Sequence, residues 1–281
     1  MSWALAVVQA LLFGDATPPD CKDIPCLIDA RFAKDAKAKS LAQDLYKATG
    51  DIAGLGVDEI MDGGYRGKIH LVPEPPVGTY RKHLEWVGSA ATRIDAFFTK
   101  LADGKELHYR WRDLGFRFVR SVGKHTPSAY AFIGDHDVWT VVYNVEGSLL
   151  TSETGVRETI FHELFHINDE AHDNWSAKTL KSDFDAIVKK CGSKVACYAP
   201  FAPNDTKVRA TGMYYAFQPN NGDVVHEYAA ELAVRFFKEQ SEVQATGKLS
   251  AKAFKCGPAE NARAWQALVD EFFVVDHVPA C

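Results

Sequence analysis

A short run near the middle of the chain combines residue types that bind a metal ion and activate water. His162, Glu163 and His166 form the pattern His-Glu-x-x-His within RETIFHELFHIND. On an α-helix, residues four positions apart differ by about 40° around the axis, so both imidazoles can point at one zinc ion. Glu163 lies beside them, where it can take a proton from an activated water. The spacing predicts a catalytic zinc site with Glu163 as its general base.

The residues around this motif favour a buried helix. The positions between the polar residues are apolar, and neither glycine nor proline occurs from residue 156 to residue 172. Buried polar groups need partners, and a metal ion provides one for the two histidines. The alternative is a pair of core or surface histidines that lie four residues apart by coincidence.

A second segment, VHEYAAELAVRFF at residues 225–237, places two acids one turn apart. Its apolar rows predict another buried helix, on which Glu227 and Glu231 are costly without cations or hydrogen-bond donors. One zinc ligand and one acceptor for the second N–H of a ligand histidine would satisfy both carboxylates. A solvated acidic stripe, balanced by Arg235 and Lys238, is the alternative.

Together the two segments resemble the gluzincin class of zinc metallopeptidases, in which a later glutamate helix supplies the third ligand. The run HELFHIND followed by HEYAAELAVRFF is most similar to the long-spacer branch that includes the anthrax lethal factor-type catalytic domain. The resemblance implies that His162, His166 and Glu227 bind one catalytic Zn²⁺. It further implies that Asp169 and Glu231 are partners of the ligand histidines.

The order of predicted elements indicates an α+β fold that is mostly helical, with a small sheet before the motif helix. Helical spacing covers residues 33–49 and 80–101, and strand-like patterns cover residues 68–72, 116–119, 129–133 and 138–143. The resemblance, which covers roughly residues 137–240, implies a zincin-like fold. It also implies an edge strand that pairs with an extended peptide or protein substrate, and residues 138–143 occupy that place in the sequence.

Two other zinc arrangements stay open. The second histidine of the motif is followed six residues later by His172, which is the metzincin spacing, with Asp169 where that class has glycine. Met213 and Tyr215 then resemble the methionine turn and the tyrosine of metzincins. An aspartate-ligated site would instead use Asp169 or Asp173 as the third ligand.

All three arrangements predict the same chemistry. Three protein ligands leave a fourth position for water, and Glu163 accepts its proton as the water attacks a scissile carbonyl. Tyr215 is the expected donor to the oxyanion, with Tyr214 and His226 as alternatives. The competing functions are a zinc hydrolase of a non-peptide amide and a non-catalytic zinc-binding scaffold. Glu163 argues against the scaffold, because a structural site needs no general base.

Six cysteines predict an oxidising compartment. Pairing between nearest neighbours gives Cys21–Cys26, Cys191–Cys197 and Cys256–Cys281. Residues 3–14 form an apolar stretch too short to cross a bilayer and similar to a signal-peptide core. We therefore expect a signal peptide at residues 1–16 and a secreted or periplasmic protein. The alternative for this stretch is an N-terminal helix packed on the core.

Composition limits the remaining possibilities. The chain has 281 residues and a formal net charge of −5, which argues against binding nucleic acid through bulk electrostatics. No later segment predicts a stable membrane insertion. We expect a monomer with an N-terminal lobe of helices and strands at residues 17–135. A zincin-like catalytic lobe, with the glutamate helix and a disulfide-stapled C-terminus, is expected at residues 136–281.

Overall fold

A computed structural model shows an α+β protein that is mostly helical, as the sequence predicts. It describes residues 3–14, 16–63, 66–208, 211–219 and 224–281. The helices in these ranges are α1 (Leu5–Phe13), α2 (Ile24–Arg31), α3 (Ala36–Thr49), α4 (Arg81–Ala102), α5 (Glu153–Ala171), α6 (Trp175–Thr179), α7 (Lys181–Cys191), α8 (Val195–Tyr198), α9 (Val224–Thr246) and α10 (Ala259–Leu268). The strands are β1 (Ile52–Leu55), β2 (Glu59–Asp62), β3 (Lys68–Pro73), β4 (Gly115–Ser121), β5 (Ala129–Gly134) and β6 (Val138–Asn144).

The chain divides into two compact units, each built from two stretches of sequence. The first consists of Met1–Ala96 and Trp111–Leu164, and the second of Phe97–Arg110 and Phe165–Cys281. The divisions fall inside α4 and α5, so each of these helices contributes to both units. The boundaries of these units differ from those of the lobes expected at 17–135 and 136–281, which stay a prediction.

The first unit contains the sheet, whose strand order is β2-β3-β4-β6-β5, with β1 also beside β4. Strand β6 runs parallel to β4 on one side and antiparallel to β5 on the other. The prediction that residues 138–143 form the edge strand is therefore wrong. Strand β5 lies at this edge of the sheet, and its six residues are all partly exposed. Sequence reasoning missed this because strand order depends on pairing between distant segments.

Strands β1 and β2 were not expected from the sequence. Gly54 and the nearby Gly56 weaken the strand pattern of β1. The structure explains Gly54, because a Cβ atom there would lie 2.6 Å from the backbone oxygen of Leu11. Glycine thus allows α1 to approach the sheet closely.

The segment predicted as a signal peptide forms α1, on which Val8, Leu11 and Leu12 are buried. Just before the helix, Trp3 donates a hydrogen bond from Nε1 to the backbone oxygen of Gly50 at 2.7 Å. This is the packed helix that the sequence left as an alternative. Cleavage after residue 16 stays a prediction, and residues 1, 2 and 15 of that segment lie outside the described residues.

All three predicted disulfides are present. Cys21 pairs with Cys26, Cys191 with Cys197, and Cys256 with Cys281. Such bonds fit an extracellular or periplasmic location. Within the described ranges, none of the helices combines the length and apolar character that crossing a membrane requires.

The second unit packs around α9 and an aromatic cluster. The ring of Phe236 on α9 stacks on Phe273 with centroids 4.2 Å apart, and Phe165 of α5 contacts Phe272 edge-to-face. Both phenylalanines of the 272–273 pair are fully buried. The cluster fixes the second half of α5 and the middle of α9 within one core, which positions the polar residues of both helices.

Candidate metal centre

Helix α5 carries the His-Glu-x-x-His motif. Ser152 precedes the helix and accepts a hydrogen bond at Oγ from the Gly155 N–H at 3.1 Å, which satisfies a donor of the first turn. The apolar residues of the motif segment are at most 1% exposed; they are Ile160, Phe161, Leu164, Phe165 and Ile167. His162 and Glu163 are themselves buried. The predicted buried helix is confirmed. Because His162 and Glu163 are buried on it, their polar atoms need partners.

Helix α9 carries the two predicted acids. Its apolar row is almost completely buried at Tyr228, Leu232 and Phe236. Glu231 is buried as well, and the Glu227 side chain keeps 18% of its surface exposed. Glu231 therefore does not belong to a solvated acidic stripe, and Glu227 is only partly exposed.

The structure brings His162, His166 and Glu227 together. One ligand atom from each residue lies within 4.8 Å of the other two. The distance from His166 Nε2 to Glu227 Oε2 is 3.8 Å, which is too long for a hydrogen bond. Two ligand atoms on one tetrahedral ion lie about 3.4 Å apart at the usual bond lengths. The spacing matches two groups that face the same ion, so the cluster can hold a metal.

Glu163 lies close to this cluster around the helix. At about 100° per residue, it is displaced by about 60° from His166 and by about 100° from His162. Its residue surface is 8% exposed. The helix therefore places a second carboxylate next to the metal-binding face and away from bulk water.

Asp169 occupies the same face of α5, about 20° from His162. The resemblance assigned this carboxylate to a ligand histidine, but the structure pairs it with His226, whose Nδ1 is 2.7 Å from Asp169 Oδ2. Ser176 donates its backbone N–H to Oδ1 at 2.7 Å and its hydroxyl to Oδ2 at 2.6 Å. Burial raises the pKa of Asp169, but the hydrogen bonds from His226 and Ser176 outweigh it and hold the pKa below its usual value.

Glu231 lies one turn after Glu227 and is held by a loop residue. Asn204 donates from Nδ2 to the backbone oxygen of Glu231 at 2.8 Å and to its Oε2 at 3.1 Å. Asn204 is buried too. Its amide thus fixes the Glu231 carboxylate. A direct role of Glu231 toward a ligand histidine stays a prediction.

His172 is bonded to other protein groups and does not belong to the candidate metal cluster, which argues against the metzincin arrangement. Its Nδ1 is 2.6 Å from Glu271 Oε1, and its Nε2 is 2.9 Å from the backbone oxygen of His108. Both ring nitrogens are therefore engaged by protein atoms. Helix α5 also continues through Asp169 to Ala171, whereas the metzincin glycine would end it at residue 169.

The aspartate-ligated arrangement has no support either. Asp169 is occupied by His226 and Ser176, and Asp173 is an exposed residue paired with Lys178. Within the described ranges, the group of side chains with metal-binding geometry is the one that uses Glu227.

The tyrosines considered as oxyanion donors differ in their surroundings. Tyr214 is buried, and the ammonium of Lys207 lies 4.7 Å from the centre of its ring. Tyr215 is partly exposed and begins a short 3₁₀ turn, with its backbone N–H bonded to the Thr206 oxygen at 2.8 Å. Tyr215 stays the better candidate, because its neighbour is committed to packing.

Sequence reasoning missed the contacts of Ser176 and Asn204 and the Asp169 partner of His226. Ser176 lies seven residues after Asp169, just inside α6, and Asn204 belongs to a proline-containing loop. No local pattern relates either residue to the metal-binding helices, since the contacts depend on how loops fold back. No protein-family model, no curated protein and no solved structure matches this chain.

Proposed function

We propose that this protein is a zinc-dependent metallopeptidase of the gluzincin type, with a zincin-like fold. The observation that carries the proposal is the meeting of His162, His166 and Glu227 on α5 and α9. The two histidines come from a short motif, but Glu227 lies 61 residues further along the chain. A coincidental pair of histidines would not need a carboxylate at this place.

The donor set suits zinc better than harder cations. Two imidazole nitrogens and one carboxylate oxygen form a common ligand set of catalytic zinc, whereas calcium and magnesium prefer oxygen ligands alone. The side chains of His166 and Glu227 are 22% and 18% exposed, so solvent and substrate can reach the cluster. Three protein ligands leave one coordination position open, which is typical of a catalytic site.

Glu163 provides the acid-base chemistry of the proposed reaction. Zinc, when bound, lowers the pKa of a coordinated water toward about 7 and polarises a carbonyl oxygen. The Glu163 carboxylate accepts the proton of the attacking water and then gives it to the leaving amine. Its burial next to the metal ligands limits competing contacts with bulk water. The hydroxyl of Tyr215 is our candidate donor to the oxyanion.

An extended peptide can pair with strand β5. This strand lies at the edge of the sheet, is partly exposed over all six residues and belongs to the same unit as His162 and Glu163. The open backbone groups of an edge strand pair readily with another chain. The three disulfides fit an extracellular or periplasmic location. We therefore propose secreted or periplasmic peptides or proteins as substrates.

Cleavage mapping tests the function directly. The oxidised, zinc-loaded protein and its Glu163→Gln variant are incubated with a proteome-derived peptide mixture, and new termini are identified by mass spectrometry. We expect cuts from the wild type and at least a ~100-fold lower rate from the variant, because general-base catalysis contributes about 10²–10⁴. Zinc content measured on both proteins should be equal.

Three outcomes would contradict parts of the proposal. Equal cutting by both proteins would exclude Glu163 as the base. A zinc-loaded wild type without any cuts would favour a non-peptide amide as substrate. A protein that binds zinc and has neither peptidase nor amidase activity would favour a zinc-binding scaffold.

A further inference from the structure

We propose that Asp169 is a positioning residue that, through His226 and Ser176, fixes the alignment of α5 and α9 and so preorganises the metal ligands. This inference rests on the proposed zinc site. It concerns a link that the resemblance did not imply, since that resemblance paired Asp169 with a ligand histidine. The link is carried by contacts within the second unit.

The Asp169 carboxylate is saturated by donors from two other elements. Oδ1 accepts the Ser176 N–H, and Oδ2 accepts both the Ser176 hydroxyl and His226 Nδ1–H, at 2.6–2.7 Å. Three donors around one carboxyl group match the ionised form, which only accepts hydrogen bonds. Because Asp169 is 0% exposed, water does not compete for these bonds. The carboxylate therefore ties α5 to the start of both α6 and α9.

Two links join α5 and α9 at the metal centre. In the first, His166 faces Glu227 across 3.8 Å, and in the second, Asp169 contacts His226 at 2.7 Å. The α5 residues are three positions apart, a rise of about 4.5 Å, and the α9 residues are neighbours. The distance between His166 and Glu227 is too long for a hydrogen bond and suits two groups that bind the same ion. Asp169 and His226, in contrast, form a direct hydrogen bond. The Asp169–His226 contact can thus hold the helices in place before a metal binds.

Preorganisation is the property that such a contact would add. Groups that orient metal ligands typically change metal affinity by about 10–100-fold when they are removed. His226 immediately precedes Glu227, so any rotation or shift of the first turn of α9 moves both residues. A residue with only a packing role would change stability without a specific change in metal affinity.

Zinc affinity of the full-length oxidised protein tests this role. Zn²⁺ affinity is measured by competition with a chromophoric chelator, well below the unfolding temperature of each variant. Asp169→Asn keeps the shape of the side chain and an acceptor for the Ser176 N–H, and His226→Ala removes the partner. Asp51→Asn is the matched control, because Asp51 is also 0% exposed but lies in the first unit.

We expect Asp169→Asn and His226→Ala each to weaken Zn²⁺ binding by about 10–100-fold, with Asp51→Asn unchanged. The double variant should lose no more affinity than the weaker-binding single variant, because both changes break the same link. The visible absorption of bound Co²⁺, which reports ligand geometry, should shift in both Asp169→Asn and His226→Ala and stay unchanged in the control.

Wild-type affinity in Asp169→Asn and His226→Ala, whatever their unfolding temperatures, would overturn this inference and leave the proposed function intact. An equal loss of affinity in Asp51→Asn would also overturn it, because the effect would then be general. If one variant fails to fold, the other decides, since each removes the contact. No measurable Zn²⁺ binding by the wild type would overturn both proposals.

Discussion

Two carboxyl groups, one in each compact unit, are equally buried but held in opposite ways. Asp51 and Asp169 are both 0% exposed. Burial raises the pKa of Asp51 to about 7, and the nearby acids Asp113 and Asp95 add to this effect against hydrogen bonds from Leu114 and Thr49. The pKa of Asp169 is lowered instead, because His226 and Ser176 donate to the carboxylate.

The difference shows that burial alone does not identify a functional acid. A carboxyl group that lacks strong donors becomes protonated near neutral pH, and then its negative charge cannot hold a cationic or metal-bound partner. A carboxylate surrounded by donors stays charged and can orient its neighbours. By this criterion, Asp169 can orient a neighbouring histidine, whereas the charged form of Asp51 is disfavoured in the folded first unit.

Removal of a proposed metal ligand should have the largest effect. Glu227→Ala deletes the oxygen ligand of the cluster, so zinc affinity should fall by more than ~100-fold, beyond the loss of a supporting group. Asp51→Ala and His172→Ala should keep wild-type affinity, since neither side chain belongs to the cluster. Metal content after dialysis and chelator competition measure all three.

The opposite pattern would break the comparison. If His172→Ala lost zinc and Glu227→Ala kept it, the metzincin arrangement would be correct and the donors around α5 and α9 would have another purpose. A loss of zinc affinity in Asp51→Ala would show that buried acids in both units affect zinc binding alike.

In the cluster of His162, His166 and Glu227, the part that the sequence predicted most directly is set by local geometry. His162 and His166 face the same side because of a helical spacing that any continuous helix reproduces. Glu227 was found because two acids in an apolar helix need an explanation. The partner of Asp169 could not be found in this way, because His226 lies 57 residues later and the contact depends on how two helices pack.

The fold shows the same division between local and distant information. The amphipathic pattern at residues 80–101 predicted α4 almost to its ends, and pairing of each cysteine with its nearest neighbour in the sequence predicted all three disulfides. Strand order was predicted incorrectly, since β6 pairs with both β4 and β5. β1 was missed because Gly54, which weakens its strand pattern, is needed for contact with α1.

The second prediction concerns the pH dependence that Asp51 creates. In the unfolded chain its pKa is near 3.8, and in the folded protein it is about 7. Between these values the folded state holds a proton that the unfolded state has lost, so stability falls as pH rises. Asp51→Asn removes this loss. The variant should match the wild type near pH 4 and exceed its free energy of unfolding above pH 7 by on the order of 4 kcal/mol at most.

Urea denaturation of the metal-free protein across this pH range measures the effect. Asp169→Asn is the informative counterpart, because a carboxylate with a lowered pKa contributes stability above its unfolded pKa and loses it only in acid. That variant should be destabilised at neutral pH. If the stability of Asp51→Asn and Asp169→Asn changed with pH in the same way, the proposed difference between the two buried acids would be wrong.

The third prediction separates His172 from the two histidines of the candidate metal centre. His172→Ala removes hydrogen bonds to Glu271 and to the His108 oxygen, and a cost of about 1–2 kcal/mol in unfolding free energy follows. Peptidase activity per bound zinc should stay at the wild-type value. If the variant lost activity but kept the normal zinc content, His172 would take part in the reaction. The prediction that this histidine has only a structural role would then be wrong.

The smallest change in zinc affinity is expected from a substitution of Asn204. This substitution tests whether the residue that holds Glu231 also affects the metal ligands. Its Nδ2 holds the Glu231 carboxylate, but its own Oδ1 is buried without a hydrogen-bond partner among the described residues. Asn204→Ala therefore removes a donor and an unsatisfied acceptor together, and the net change in stability should be about 1 kcal/mol or less. If Glu231 supports a ligand histidine, zinc affinity should fall a few-fold, as titration with a chelator can show. Unchanged affinity would confine the supporting contacts to Asp169, His226 and Ser176.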